Sequence, residues 1–418
     1  MRAHAQTISQ GRLAAILGGL AMFGPFSIDT IFPAFPQIGN ELGVGKLAMQ
    51  QTISVYLLAY AAMSVVHGPL SDAIGRKRVI LAGLAVFVLA SVGCALSTSM
   101  PMLLLFRALQ GLSAGVGLIV GRAVVRDVLQ GDDAQRLMSQ VSMIFGIAPA
   151  IAPIIGGWIL GWSRWPAIFW FLAAFAAVLW LVAAHSLPET HPPESRLSVR
   201  PAALLRNYIG ILGNRRFVRL SIAGALNFGA LFLYIASAPA FVLDLMRLNE
   251  RQFGWFFIPM ISGMMLGAFV SGRGAGRIEG VRLANIGFVC CGLAALLNVG
   301  YNLLVDAPSL PWAVLPMSLN AFGIALVFPI ITLAILDMYP HQRGGASSLQ
   351  AFTGLLSNAV IAGVLSTLVS STGLHLAAAS SLFTMVAWLV WQQEQRSQRR
   401  MRTASAAQVM GLEPTDRM

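Results

Sequence analysis

Charged positions fall in clumps along this chain, and the stretches between them carry none. The charge-free runs are 13–28, 30–40, 47–71, 79–106, 108–121, 137–163, 165–188, 220–243, 252–272, 283–305, 307–336 and 344–393. A helix that spans a bilayer needs about 20 predominantly apolar residues. The run 79–106 holds one such helix and the start of the next, which Arg107 interrupts. The run 344–393 holds two, with Ser370-Ser371-Thr372-Gly373 as the turn between them. The pattern predicts twelve spans, near 12–34, 49–70, 79–97, 101–122, 139–161, 165–185, 218–243, 253–272, 283–304, 311–336, 345–369 and 374–392.

Composition removes the competing fold classes. Of 418 residues, 57% are hydrophobic and 11% charged, against about a quarter charged in a soluble domain. A chain this poor in charge cannot cover a water-facing surface. The first span is read as retained rather than as a cleaved signal peptide, because it is long, contains Pro25 and Asp29, and lacks a small-residue cleavage site. Cys94, Cys290 and Cys291 all fall inside spans. They form neither a disulfide framework nor a metal-ligand spacing and are read as apolar packers. No metal or cofactor is implied.

The net charge of +12 would suggest a nucleic-acid partner in a soluble protein. Sorted by segment, it marks topology instead. Lys and Arg favour cytoplasmic loops. With the N-terminus inside, cytoplasmic segments hold twenty-three basic and eleven acidic residues, and outer loops hold four of each. Arg107 and Asp29 lie within spans. The whole surplus then faces the cytoplasmic leaflet, with both termini inside and no role for nucleic acid.

Residues 186–217 differ from the rest, with Pro188, Pro192, Pro193 and a spread of arginines. They read as a cytoplasmic linker with a short amphipathic helix over 200–213. The organisation is a six-helix bundle over 1–186, a linker over 187–217, a second six-helix bundle over 218–393, and a disordered Arg-rich tail over 394–418. Two pseudo-symmetric six-helix halves are the plan of many secondary transporters, with the binding site at their interface near the midplane. Gly111, Gly115, Gly117 and Gly121 of span 4 form a small-residue face that allows close helix approach.

The embedded charges are the candidate chemistry. An intramembrane carboxylate is costly and functional by default. Burial and a neighbouring cation act in opposite directions on a carboxyl's protonation, and a carboxyl held between them can carry a proton. Asp29 is such a group, or else it lies at the outer mouth and is merely solvated. Pro33 removes the helical bond to the carbonyl of residue 29, so the helix opens at the acid. At 1.5 Å per residue, Asp29 lies about 7 Å and Arg107 about 9 Å from the outer ends of their spans. The two are therefore expected at similar depth, pairing directly or sharing one polar cavity. Gln110 continues the Arg107 face. Tyr56, Tyr60, Asn227, Tyr234 and Asn320, with Phe26, Phe232 and Phe322, are the candidate lining of an aromatic, weakly polar substrate cavity. Each alone is read more readily as structural. His67, at a span boundary, is read as structural too.

The loop between spans 2 and 3 reads Gly68-Pro69-Leu70-Ser71-Asp72-Ala73-Ile74-Gly75-Arg76-Lys77-Arg78. It resembles the signature loop of the major facilitator superfamily, and Gly75 fits its tight turn. The resemblance implies a gating latch of Gly68, Asp72, Gly75 and Arg76; Asp127, at the inner end of span 4, is the candidate partner of Arg76. The counterpart around Gly272-Arg273-Gly274-Ala275-Gly276-Arg277 is degenerate. Arg107-Ala108-Leu109-Gln110-Gly111 resembles the superfamily's motif linked to proton coupling. Span 5 carries Gly146, Pro149, Pro153, Gly156 and Gly157, which resemble the antiporter motif, with Ala152 where the motif has glycine. Asp29 with Pro33 and Pro36, and Arg126-Asp127 after span 4, are similar to the Bcr/CflA branch of drug:proton antiporters. That branch implies a monomer in a bacterial inner membrane, exchanging small amphipathic compounds for protons by alternating access.

The alternative on the same fold is a proton-coupled transporter of one metabolite, such as a sugar, nucleoside or amino acid. Such a site usually wants more in-span polar side chains than this chain offers. An intramembrane enzyme would need clustered His, Asp, Glu or Cys, which the spans lack. No phosphate-cradling loop for direct ATP drive appears.

Overall fold

Apolar segments this long can satisfy their backbone groups in a bilayer only as helices or closed barrels, and the leucine- and alanine-rich runs fold as helices. A computed structural model describes residues 10–129, 131–196, 201–274, 277–305, 307–340 and 342–409. It is helical almost throughout, without a β-strand among the described residues.

Span 1 runs from Gln10 to Leu42 and span 2 is the pair Lys46–Ser64 and His67–Ile74, bent by 48°. Spans 3 and 4 are Arg76–Ala95 and Met100–Val128. Spans 5 and 6 are Gly131–Trp162 and Pro166–Ser186. Spans 7, 8 and 9 are Arg215–Ala236, Gly254–Gly274 and Gly280–Leu304. Spans 10 and 11 are Leu315–Met338 and Arg343–Val369, and span 12 is Gly373–Val409. By length and hydropathy, ten of these qualify as membrane spans among the described residues, and eleven with the bent pair. The apolar part of span 5, Gly146–Trp162, is shorter than these.

The two halves share much of one packing scheme. In the first, span 1 packs on 5, span 2 on 4, span 3 on 4 and 6; in the second, 7 packs on 11, 8 on 10, 9 on 10 and 12, but span 7 also packs closely on 12 and 10, where span 1 touches 6 and 4 only lightly. The halves meet where span 2 packs on 11 and span 5 on 8, a symmetric pair under the same repeat. The chain is thus two pseudo-symmetric six-helix bundles. Leucines and valines such as Leu89, Val289 and Leu296 cover the outside, as suits a lipid-facing rim. Trp158, Trp162, Trp255 and Trp312 are exposed at the end where the loops carry little charge, where interfacial tryptophans anchor spans.

Two expectations meet the backbone differently. The linker helix forms, over Pro201–Leu212; residues 197–200 lie outside the described segments. The tail from 394 is not disordered over its first part, because span 12 continues as one helix to Val409. At the start of this extension Glu394 is buried and holds Arg216 (3.2 Å) and Arg219 (3.4 Å) at the start of span 7. Residues 410–418 of that tail, and Ala275 and Gly276 of the degenerate second loop, lie outside the described residues.

Candidate functional site

Span 1 ends its regular helix at Asp29. A turn at Thr30 and Ile31 leads into a 3₁₀ segment, Phe32–Ala34, and a last helical stretch, Phe35–Leu42. Pro33 and Pro36 supply no backbone N–H here, so the helix cannot run straight on. The break leaves Asp29 buried at 4% exposure with the molecule closed at this end. Its carboxylate has no hydrogen bond or ion pair among the described residues.

Arg107 is fully buried and ties three spans together. Its Nε donates to the Thr52 carbonyl of span 2 at 3.2 Å. Its Nη1 donates to the Ser27 carbonyl at 3.0 Å and the Ser27 hydroxyl at 3.1 Å on span 1, and to Gln110 Oε1 at 2.8 Å. The guanidinium lies over the Tyr56 ring, 4.5 Å from its centre. Nη2 has no partner. Gln110 passes the network to span 3 through Ser91 Oγ at 2.8 Å and Cys94 at 3.7 Å. Asp29 and Arg107 therefore do not pair. Ser27 faces the arginine, and a residue two positions on lies about 200° round a helix.

The proposed cavity lining divides. Tyr56 and Tyr60 meet edge to face at 6.3 Å, and Tyr56 donates to the Gly24 carbonyl at 3.0 Å, beside Arg107. Phe26 turns instead toward span 6, with ring centres 5.5 Å from Phe175 and 6.3 Å from Phe171. On span 7, Asn227 Nδ2 donates to Cys291 Sγ at 3.7 Å and Tyr234 accepts from Asn298 Nδ2 at 2.8 Å. Both partners belong to span 9, so the shared face of Asn227 and Tyr234 looks into the second bundle. Asn320 joins them there, its carbonyl accepting from Cys291 Sγ at 3.6 Å. Tyr234, Asn298, Asn320 and Ser380 line a cavity of about 10 Å³, room for one water. Phe232 stacks on Phe228 at 6.2 Å. Phe322 is half-buried, its carbonyl against Gly267 of span 8. The structure does not bring these second-half residues to the Arg107 cluster.

The loop after span 2 forms a closed polar knot. Gly75, at φ 106° and ψ 147°, takes a conformation that L side chains avoid, and an added Cβ would strike the Glu189 carboxylate. Arg76 pairs with Asp72, reaches Asp127 Oδ2 at 3.0 Å, and donates to Ser71 Oγ at 2.6 Å. Its backbone N–H donates to Glu189 Oε1 at 2.9 Å. The Thr190 hydroxyl donates to Asp127 at 3.0 Å. Asp127 and Asp72 thus both pair with Arg76. Gly68 has open space around it. Every member of this knot precedes the linker helix.

Gly156 and Gly157 of span 5 sit where the break in span 1 and the second half converge. An added Cβ would meet the Thr30 carbonyl at the first and the Glu250 carbonyl at the second. Pro149 and Pro153 lie inside the helix. Gly146 has open space around it.

At this lightly charged end the halves are bonded together. Gln50 Nε2 donates to the Ala236 carbonyl and Gln51 Nε2 to the Gly363 carbonyl, both at 2.9 Å. Ser54 donates to the Ala359 carbonyl at 2.9 Å, and Lys46 pairs with Asp244 at 2.6 Å. Gly363 lies in a π-helical turn, Ile361–Leu365, a local widening often found at functional sites. Nothing in the sequence marks these residues, nor Ser27, Thr52, Ser91 and Glu189, as belonging to a site. Isolated Ser, Thr and Gln in a span carry no sign of which carbonyl they will meet.

Comparison with known proteins follows the same lines. The family model described as Major Facilitator Superfamily matches residues 16–362. The uncharacterized MFS-type transporter YdgK of Bacillus subtilis (strain 168) is 30% identical over 355 residues, covering 84% of this chain and 87% of that protein. The bicyclomycin resistance protein homolog of Haemophilus influenzae is 26% identical over 385 residues, covering 90% and 92%. Multidrug resistance protein D of Escherichia coli (strain K12) is 28% identical over 366 residues, covering 85% and 88%. Two solved structures share the fold. The human organic anion transporter MFSD10 (TETRAN) superposes with TM-score 0.70 at 19% identity, over 93% of this chain and all of that one. A D-xylose-proton symporter gives 0.69 at 13%, over 91% and 97%.

Proposed function

This chain belongs to the major facilitator superfamily, a multi-pass membrane transporter and not an enzyme, and from that premise we propose that it exports small amphipathic compounds in exchange for protons. The observation that carries the proposal is Asp29, an ionisable side chain buried without a partner among the described residues, at a break in span 1. Such a group can take up and release a proton without dismantling an ion pair. The relatives named for bicyclomycin and multidrug resistance support a drug-like substrate.

In this reading the two bundles, 1–186 and 218–393, rock about the central interface and the 187–217 segment links them. The protein works as a monomer in a bacterial inner membrane, with both termini and the basic face cytoplasmic. Asp29 protonation and substrate binding oppose each other, which couples the two flows. Arg107 holds spans 1, 2 and 4 in register, with Tyr56, Tyr60 and Gln110 as the polar wall around the arginine. The Arg76 knot and Asp127 steady the cytoplasmic ends of spans 2 to 4 as the bundles move. Gly156 and Gly157 let span 5 close against span 1 and the second bundle.

The test is proton-gradient-driven transport in proteoliposomes, against a panel of hydrophobic drugs and metabolites. Asp29→Asn is expected to abolish gradient-driven drug efflux while the protein remains folded. Normal pumping by that variant removes Asp29 as the proton carrier. Transport of one sugar, nucleoside or amino acid, with no competition from unrelated hydrophobic drugs, would instead select the metabolite reading.

A further inference from the structure

The last turns of span 12 run past the apolar band and form a groove with the start of span 7. Its volume is about 550 Å³, and Arg219, Trp388, Leu389, Gln392, Arg396 and Arg400 are among its lining residues. The positions on span 12 recur at three- and four-residue intervals, so they share one face. Arg396 and Arg400 form no ion pair among the described residues. The acid between the two segments, Glu394, is buried and already engaged by Arg216 and Arg219, so it does not neutralise the exposed arginines.

The other end of the groove is apolar and open. Trp388 is 43% exposed and Leu389 50%. The same face continues down the span through Met385 and Leu382, also exposed. One ligand therefore has to offer an anion at the arginine end and hydrocarbon at the Trp388 end. A free anion uses only half of this surface, and a nucleic acid has no use for the apolar half. Basic pockets beside membrane spans attract acidic headgroups, and guanidinium groups match phosphate geometry.

We propose that this groove binds an anionic phospholipid, its phosphate between Arg396, Arg400 and Arg219 and its acyl chains along Trp388, Leu389 and Met385. Nothing in this proposal depends on what the transporter carries. Because Arg219 belongs to span 7 and the other residues to span 12, the bound lipid would clamp the first and last spans of the second bundle.

The full chain in neutral detergent is titrated with phosphatidylglycerol brominated in its acyl chains, which quenches tryptophans in contact with it. The Trp388 signal is the part missing from Trp388→Phe. Phosphatidylglycerol is expected to quench it at a lower lipid fraction than brominated phosphatidylcholine. Arg396→Gln and Arg400→Gln should each raise the half-quenching fraction about fivefold. Arg78→Gln, the same charge change on the basic face of the other bundle, should leave it unchanged. Equal quenching by both lipids, or an equal effect of Arg78→Gln, overturns the proposal.

Discussion

Arg107 spreads its guanidinium over acceptors on spans 1, 2 and 4, whereas Asp29 touches no polar partner among the described residues. The same kind of substitution should therefore act differently at the two sites. A lysine has one ammonium where arginine has a planar fork, so it cannot reach Thr52 and Ser27 together. Arg107→Lys is expected to lower stability by about 2 kcal/mol, read as an earlier thermal unfolding transition in detergent. Asp29→Asn removes charge but breaks no bond and should unfold within about 1 kcal/mol of the parent. If Arg107→Lys melts with the parent, the fork is not what ties the spans. The residue types of this centre were legible in the chain, because in-span charges are rare. Their pairing was not, since depth along a span follows from residue number, while azimuth depends on how the helix is turned.

At the scale of the element, span 5 shows what a shared motif conceals. Its glycines look equivalent in the sequence, yet Gly156 lies against the Thr30 carbonyl and Gly146 against nothing within 4 Å. Gly156→Ala should destabilise by about 1 to 3 kcal/mol through overpacking against rigid backbone. Gly146→Ala should be neutral or slightly stabilising, since alanine favours the helix. Folded yield and thermal unfolding of the two variants check this, and equal behaviour would mean span 5 does not rest on the break in span 1. Span 7 teaches a related lesson. It is buried on nearly every side, so the seven-residue spacing of Asn227 and Tyr234 fixed a common face without saying which neighbour it meets. Span 12 shows the opposite limit: the polar composition past 393 points to disorder, yet the helix runs on to Val409, with a buried acid holding two arginines at the start of that stretch.

The whole molecule is closed at one end. Gln50, Gln51, Ser54 and Lys46 bond span 2 to spans 7 and 11 and to Asp244, all at the lightly charged face. Transport by alternating access requires this face to part. Lys46→Cys with Asp244→Cys, joined by a short bifunctional thiol reagent, should therefore stop transport, and a cleavable linker should restore it on reduction. Each single cysteine variant, treated alike, should retain activity, because an exposed ion pair adds little stability. Undiminished transport by the cross-linked protein would mean that this face never opens.

The order of charged and apolar residues by itself determined that the chain is a helical membrane protein, where its spans lie, and which few residues are out of place in lipid. Those properties follow from transfer energies and local hydrogen bonding, which each segment meets alone. Only the tertiary structure decided that Arg107 bonds Ser27 and Thr52 rather than Asp29. The same holds for the Asn227 and Tyr234 face, which looks into the second bundle, and for the bonds that join the halves at one end. Each of these depends on the rotation of one helix against another. A uniformly apolar span carries little periodicity to encode that rotation, so packing sets it through the glycine contacts and buried bonds described above.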